Sequence, residues 1–158
     1  MCVEIEHKFL VSREVPFAEA RQVIHISQGY LSHGEGITVR VRKSDDRGFL
    51  TIKGASTPDG LSRPEFEYEI PSRDADALLA LCHSHIIKKR HLIEYQGYTW
   101  EVDIFEGDNA GLILAEIELS QVDELPPLPS WMGQEVTGDP RYYNAFLVDH
   151  PYHEFSNI

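Results

Sequence analysis

Cysteine is nearly absent from this chain, and the two it has, Cys2 and Cys82, make no disulfide framework. Both are read as reduced thiols. No apolar run approaches the length of about 18 residues that a membrane-spanning helix needs. The first residues carry acids at Glu4 and Glu6 instead of a basic start and an apolar stretch. They do not resemble a signal peptide, so a cytoplasmic protein is expected, with no membrane partner. No glycine-rich phosphate loop of the ordinary nucleotide folds occurs. No internal repeat or low-complexity tract is seen either, and one domain over residues 1–158 is expected. Basic charge is scarce: 14 Lys and Arg stand against 26 Asp and Glu, for a formal charge of −12. That balance excludes a nucleic-acid binder working by surface neutralisation. A small anion remains possible if the few bases are gathered in one place.

What the chain does have is charge at alternate positions of short apolar runs. Side chains on a strand alternate between faces, so Glu4, Glu6 and Lys8 share one face of residues 3–10. The pattern recurs with Arg40 and Arg42 in residues 37–43, and with Thr51 and Lys53 in 49–53. Residues 63–70 place Arg63, Glu65, Glu67 and Glu69 together, opposite Phe66, Tyr68 and Ile70. Lys88 and Arg90 pair in 86–94, Glu101 and Asp103 in 98–106, and Glu116 and Glu118 in 112–119. Tight turns are expected at 32–36, at Asp45-Asp46-Arg47-Gly48 and at Gln96-Gly97. Residues 12–25 suit a short helix, 28–31 a brief strand, and 73–83 a helix begun by Pro71-Ser72. Residues 121–140, with four prolines, are expected to form an ordered loop packed by Trp131. Residues 141–149 suit a terminal helix, and the last nine residues a loose end.

About eight short strands joined by tight turns point to an α+β fold, largely antiparallel, whose edges are best removed by closure into a barrel. A single strand of this kind usually turns its charged face to solvent. Two features favour the opposite here. The charges cluster by sign and spacing, and the apolar faces are large, with Phe66, Tyr68, Trp100, Phe105 and Leu119. An inverted barrel accounts for both, with helices and loops outside and the charges lining a lumen. That lumen would gather Lys8, Arg40, Arg42, Lys53, Arg63, Lys88 and Arg90 with the acids named above. Burying so many charges without a ligand costs several kcal/mol per ion. Guanidinium forks suit phosphate oxygens, and paired carboxylates suit Mg²⁺ or Mn²⁺. A linear polyphosphate that chelates metal answers both sets.

Taken in order, Glu4-x-Glu6-x-Lys8, Arg40-x-Arg42, Thr51-x-Lys53, Arg63-x-Glu65-x-Glu67, Lys88-x-Arg90, Trp100-Glu101-x-Asp103 and Ala115-Glu116-x-Glu118 resemble the CYTH superfamily, the triphosphate tunnel metalloenzymes. The resemblance spans nearly the whole chain. The tail, Trp131-x-Gly133-x-Glu135-Val136-Thr137 and Asp139-x-Arg141-Tyr142, looks like the short bacterial inorganic triphosphatase subgroup. The resemblance implies a closed eight-stranded antiparallel β-barrel, a tunnel with a charged lumen and flanking helices. It implies a Mg²⁺-dependent triphosphatase, with Mn²⁺ as a possible substitute, and a homodimer is reasonable. Substrate would be held by Lys8, Arg40, Arg42, Lys53, Arg63, Lys88 and Arg90. Metal would be held by Glu4, Glu6, Asp103, Glu116 and Glu118. Lys8, Glu67 and Arg90 are the expected catalytic residues, and Glu65 and Glu67 would order the bases or a metal-bound water. His7, of opposite parity, is expected to face away, and Glu69 has no assigned role.

The expected reaction is hydrolysis of the terminal phosphoanhydride of inorganic triphosphate. Adenylate cyclisation of the class IV type and cleavage of thiamine or nucleoside triphosphates are alternatives. Each would need a surface for a ring, for which Tyr30, Phe49 or Tyr98 are candidates, although strand aromatics are commonly core residues. A non-catalytic polyphosphate-binding module is a rival of another class, disfavoured by the full acidic set. His83-Ser84-His85 has metal-compatible spacing but no third ligand nearby, and is read as a surface turn. Asp123-Glu124 is read as a solvated loop face.

Overall fold

In a computed structural model, which describes residues 3–33 and 36–156, nine strands form one antiparallel sheet. They are β1 (Val3–Val11), β2 (Gln22–Ser32), β3 (Thr38–Ser44), β4 (Arg47–Lys53), β5 (Ser62–Ile70), β6 (Ile86–Tyr95), β7 (Tyr98–Phe105), β8 (Ile113–Glu118) and β9 (Met132–Glu135). The order runs β5-β4-β3-β2-β6-β7-β8-β1-β9, and a further β5–β1 pairing closes the first eight into a barrel. Closure depends on β1 having two partners along one edge. Its first half pairs with β5 (Glu4 opposite Arg63) and its second half with β9 (Phe9 opposite Glu135). The other edge of β1 is taken by β8 over Glu6–Leu10. A closed sheet of eight strands encloses a space that side chains can nearly fill.

Local sequence explains the hairpins. Gln96 and Gly97 both adopt positive φ, 48° and 83°, in the two-residue turn between β6 and β7. That is the hairpin geometry whose twist matches its strands. Asp45, at φ 53°, turns the chain between β3 and β4. The backbone N–H of His25 donates to its carboxylate, at 3.0 Å.

Two apolar clusters lie on the outside of the barrel. The outward residues Phe9, Ile93, Trp100, Val102, Ala115 and Ile117 are buried beneath the 12–20 segment (Val15, Phe17) and the 119–132 loop, with Trp131 edge-on to Trp100. Helix α1 (Ser72–Leu79) covers Val41 of β3 through Ala75 and Leu79. Gly48 is required there, because a Cβ on it would stand 2.7 Å from the Ala75 Cβ. A third cluster closes one end of the barrel. Leu10, Ile86, Phe105 and Leu114 meet Val136, Tyr142 and Leu147 of the C-terminal segment, which includes the short helix α2 (Asn144–Leu147).

Several expectations need correction. Residues 12–25 form no α-helix; a 3₁₀ turn spans Phe17–Glu19 and β2 begins at Gln22. Val23 and Ile24 are β-branched and find partners in β6, opposite His91 and Arg90, so pairing overrides the weak helical pattern. Residues 121–140 are not all loop, since β9 extends the free edge of β1. The C-terminal end is not loose throughout: Tyr152 and Phe155 pack edge-on to each other against the third cluster. Phe105 shares its face with Glu101 and Asp103, not with the outer apolar row, and helps seal the barrel end. The outer face of β4–β5 is only partly covered, leaving Phe66 and Tyr68 exposed. Cys82 is a free thiol whose Sγ donates to the Leu78 carbonyl. Cys2 lies outside the described residues, as do Gly34 and Glu35 of the expected 32–36 turn. Among the described residues, no helix is long and apolar enough to cross a membrane.

Candidate active site

The register carries one parity around the whole ring. Glu4 faces Arg63, Lys53 faces Glu65, Thr51 faces Glu67, and Arg40 faces Thr51. Arg42 faces Gln28, Arg90 faces Asp103, Glu101 faces Glu116, and Lys8 faces Glu116. Directly opposed residues share a face, so all these side chains belong to the interior. They surround a cavity of about 170 Å³, room for roughly a dozen water-sized groups. It is lined by Glu4, Glu6, Lys8, Arg40, Arg42, Lys53, Arg63, Glu65, Glu67, Arg90, Glu101, Glu116 and Glu118, joined by Tyr30, Thr38, Tyr143, Asn144 and Ala145. His7 points outward, where its Nδ1 lies 2.8 Å from Glu135 Oε2.

The charges form separate groups. On one side, Arg90 donates through Nε and Nη2 to both Asp103 oxygens, at 2.8 and 2.9 Å, and through Nη1 to Glu101. Lys88 Nζ stands 2.7 Å from the same Asp103 and donates to the Asn144 side chain at 3.1 Å. Lys88 and Asp103 are almost fully enclosed and do not line the cavity; they form a layer beneath Arg90. Burial pushes the Lys88 amine down to about 7; Asp103 opposes this, and Arg90 and Arg42 reinforce it. Asp103 is held low: burial works against its charge, but Arg90 and Lys88 outweigh it. Among the described residues, Arg42 meets no carboxylate at salt-bridge distance. Burial, with Arg40 and Arg90 nearby, lowers its guanidinium to about 9. Arg40 donates to Thr51 Oγ1 at 3.1 Å and lies 3.7 Å from Glu67, which in turn accepts from the Thr51 hydroxyl.

The opposite side, on β1 and β8, is acidic. Glu4 is drawn to Lys53 at 2.7 Å and Arg63 at 3.7 Å, and Lys53 also meets Glu65 at 3.1 Å. Glu116 lies 3.4 Å from Lys8. Burial disfavours both carboxylates, but their basic neighbours win and both pKa values are lowered. Burial also works against the Lys8 ammonium, yet Glu116 and Glu6 outweigh it and raise its pKa. For Glu6 the relief is insufficient: burial, then Glu116 and Glu4, outweigh Lys8 and hold its carboxyl well above the usual range. Burial, then Glu4 and Glu101, raise Glu118 as well.

This wall fits a divalent cation by its donors. Glu4, Glu6, Glu116 and Glu118 offer hard oxygens, and the carboxyls of Glu6 and Glu118 are raised by burial and by neighbouring acids, a burden that a bound cation would relieve. Among the described residues, no three acid, imidazole or thiol groups already converge as a finished cation site. Lys53 and Lys8 occupy the attention of Glu4 and Glu116 instead. Asp103, expected as a metal ligand, has both oxygens engaged by bases.

Sequence reasoning missed three contributors. Gln28 is fully buried under Arg42, in a segment where no charge pattern marks it. Tyr143 and Asn144 come from the C-terminal segment, which folds back into the barrel. The Tyr143 ring lies 5.5 Å from Lys8 Nζ and 5.9 Å from the Arg63 guanidinium, and Lys8 donates to the Tyr142 carbonyl at 3.1 Å. A glycine pair fixes this fold-back: a Cβ on Gly60 would stand 2.2 Å from Gly138 Cα. Glu69 lies away from the cavity in a two-bond pair with Arg47. Of the proposed stacking residues, Tyr98 faces outward and donates to Glu124, while Phe49 lies under the Arg47 guanidinium, apart from the cavity lining. His85 Nε2 is 2.7 Å from the Leu79 carbonyl at the end of α1, consistent with a turn.

Comparison with known proteins gives a consistent answer. The CYTH domain model matches residues 3–143. An inorganic triphosphatase of Acetivibrio thermocellus is 47% identical over 154 residues, covering 96% of this chain and 97% of that protein. An inorganic triphosphatase of Nitrosomonas europaea is 34% identical over 150 residues, covering 92% and 96%. The crystal structure of the inorganic triphosphatase NE1496 superposes with a TM-score of 0.66 at 31% identity, covering 94% of this chain and 95% of that one.

Proposed function

The chain belongs to the CYTH domain family, and from that premise we propose that it hydrolyses the terminal phosphoanhydride of inorganic triphosphate with help from a divalent metal. One observation carries the reading. A single cavity sets an under-neutralised guanidinium (Arg42) against an under-neutralised acidic wall (Glu6, Glu118). A linear triphosphate with bound cation supplies the missing charge of both signs. The relatives named as inorganic triphosphatases support the same substrate.

Arg40, Arg42, Lys53, Arg63 and Arg90 bind phosphate oxygens and fix the chain along the barrel axis. Lys8, bracketed by Glu116 and the Tyr142 carbonyl, neutralises charge beside the acidic wall. Glu4, Glu6, Glu116 and Glu118 would hold the cation. Mg²⁺ bound there would neutralise phosphate charge and lower the pKa of a water. Glu67, held by the Thr51 hydroxyl near Arg40, and Glu65, beside Lys53, orient the bases. Phosphoryl transfer depends mainly on alignment and charge neutralisation, so these residues suffice without a covalent intermediate. Of the three aromatic residues that could have stacked on a base or thiazolium ring, Tyr98 and Phe49 lie outside the cavity lining and Tyr30 lines it.

The test compares phosphate release from tripolyphosphate, ATP and thiamine triphosphate with Mg²⁺ or Mn²⁺, measuring cyclic AMP in parallel. Tripolyphosphate is expected to turn over fastest and only with added metal. Tight polyphosphate binding without turnover would instead establish a binding module.

A further inference from the structure

The C-terminal fold-back brings one aromatic ring to two cations of the cavity. We propose that Tyr143 is a positioning residue whose ring face seats the Lys8 ammonium and the Arg63 guanidinium for the triphosphate. This rests on the triphosphate reading of the cavity and extends it to how two of its bases are aimed. The ring centroid lies 5.5 Å from Lys8 Nζ and 5.9 Å from the Arg63 guanidinium carbon. Cations within about 6 Å of an aromatic centroid are attracted by the negative potential of its face. Tyr143 lines the main cavity and also a smaller one beside it that shares Glu4, Glu6 and Arg63. The ring therefore stands at the boundary of both.

Neither cation is fixed by its polar contacts alone. Lys8 Nζ donates to the Tyr142 carbonyl at 3.1 Å and stands 3.4 Å from Glu116 Oε1. An ammonium turns freely at the end of a flexible stem, so these contacts leave its direction open. Arg63 is looser still. Its Nε approaches Glu4 only to 3.7 Å, and among the described residues its side chain makes no hydrogen bond. The two cations also repel each other, Arg63 working against the charge on Lys8. A carboxylate between them would hold both, but it would compete with phosphate for their protons and cancel their charge. An aromatic face attracts cations without taking their charge away. The ring itself is anchored from behind. Tyr142 before it and Leu147 after it are buried in the cluster at the closed end of the barrel. The Tyr143 carbonyl accepts from the Phe146 and Leu147 N–H groups, at 3.0 and 2.9 Å, as the start of α2. Its own N–H donates to the Pro140 carbonyl at 3.1 Å. A ring held this way restricts Lys8 and Arg63 before substrate arrives, the kind of alignment on which phosphoryl transfer depends.

The experiment measures kcat and KM for tripolyphosphate with Mg²⁺ in wild type, Tyr143→Phe and Tyr143→Leu. A further series carries mono-, di- and trifluorinated phenylalanine at the same position. Thermal melting checks that each is folded. Tyr143→Phe keeps the ring and should stay within about twofold of wild type. Tyr143→Leu fills similar space without a π-face, and kcat/KM should fall about fivefold to thirtyfold, chiefly through KM. Ring fluorines drain the face of negative potential with little change of shape, so kcat/KM should fall stepwise along the series. A packing role alone gives no such slope. A flat series, or Tyr143→Leu within about twofold of wild type, overturns the assignment. A loss in Tyr143→Phe equal to that in Tyr143→Leu overturns it too, because the hydroxyl would then be the active part. NMR of the lysine ε-methylene groups gives a readout that needs no turnover. The ring should shift the Lys8 resonance upfield in wild type and Tyr143→Phe, but not in Tyr143→Leu. Absence of that shift in wild type shows the seat to be wrong. With the shift present and no phosphate released by wild type, the triphosphate reading fails and the seat stands. Should Tyr143→Leu not fold, the fluorinated series decides.

Discussion

The acidic wall on β1 and β8 and the basic arc on β3 and β6 are built from the same strand periodicity, yet they carry opposite excesses. Between them, pairs such as Lys53–Glu4, Lys8–Glu116 and Arg90–Asp103 neutralise each other locally. What is left over sits at the extremes: Glu6 and Glu118 held up on one side, Arg42 held down on the other. Counting lumen charges would miss this, because the totals nearly balance. Geometry keeps the surplus charges apart, and their enclosure by the barrel makes them costly unless a ligand neutralises them. A ligand carrying both a polyanion and a cation relieves both at once. Each wall should therefore lose function but keep or gain stability when its surplus charge is removed.

The largest effect is expected on the basic side. Arg42→Ala should lower kcat/KM for tripolyphosphate by about 10²–10³-fold, the loss of about 2.7–4 kcal/mol seen when a preorganised charge-stabilising donor is removed. The same substitution removes a half-buried cation with no carboxylate partner among the described residues, so the ligand-free protein should melt no lower than wild type. Steady-state kinetics with melting curves of the chelator-treated protein check both halves. A large fall in melting temperature with activity intact would mean that Arg42 is structural.

On the acidic side, Glu6→Gln should raise the half-saturating Mg²⁺ concentration about tenfold or more while changing the KM for tripolyphosphate less. Its stability effect has a definite sign. The Glu6 pKa is raised on folding, so its protonated form stabilises the fold at low pH, and that contribution is lost as pH rises through the folded value. Gln keeps the neutral shape at all pH. At pH 8 with chelator, Glu6→Gln should therefore melt higher than wild type, and added Mg²⁺ should raise its melting temperature less. Calorimetry at several Mg²⁺ concentrations measures both.

The walls differ also in how well they could be read from sequence. Alternating charge on short strands placed Glu4, Glu6, Lys8, Arg40, Arg42, Lys53, Arg90 and Glu116 on one interior face, because period-two alternation fixes parity wherever the partner strand lies. The closed barrel followed from the same pattern. Depth was not legible. Lys88 and Asp103 share that parity but lie beneath Arg90, and only the packing of Ile86, Phe105 and Leu114 against Leu147 shows which end of the barrel is closed. Gln28, Tyr143 and Asn144 carry no charge, so nothing in the pattern marked them. The start of β2 was hidden because Val23 and Ile24 become a strand only when β6 supplies a partner.

Lys88 sharpens the contrast between a cation that lines the cavity and one enclosed beneath it. Its amine falls from an ordinary 10.5 to about 7 on folding. Between those values the unfolded chain holds a proton that the folded chain has released, so this residue makes stability increase with pH across that window. Lys88→Met should flatten the rise in melting temperature between pH 7 and 10. Asp103 keeps both bonds from Arg90 in that variant. Turnover should fall by less than in Arg42→Ala, because Lys88 does not line the cavity. A loss equal to that of Arg42→Ala would place Lys88 in contact with substrate after all.

The smallest effect is expected where a good-looking ion pair lies outside the cavity. Arg47 donates two hydrogen bonds to Glu69, at 3.0 and 2.7 Å, a geometry as good as that between Arg90 and Asp103. Solvent makes the difference: Arg47 and Glu69 side chains are 66% and 51% exposed, against 10% and 1% for Arg90 and Asp103. Water screens the first pair and replaces its bonds when one partner is lost. Arg47→Ala should accordingly leave kcat/KM within about twofold and the melting temperature nearly unchanged. Arg90→Ala, by contrast, strands a buried carboxylate and removes a proposed phosphate donor, so both readouts should fall. Similar outcomes for the two substitutions would mean that bond geometry, and not enclosure in the barrel, decides which charges matter.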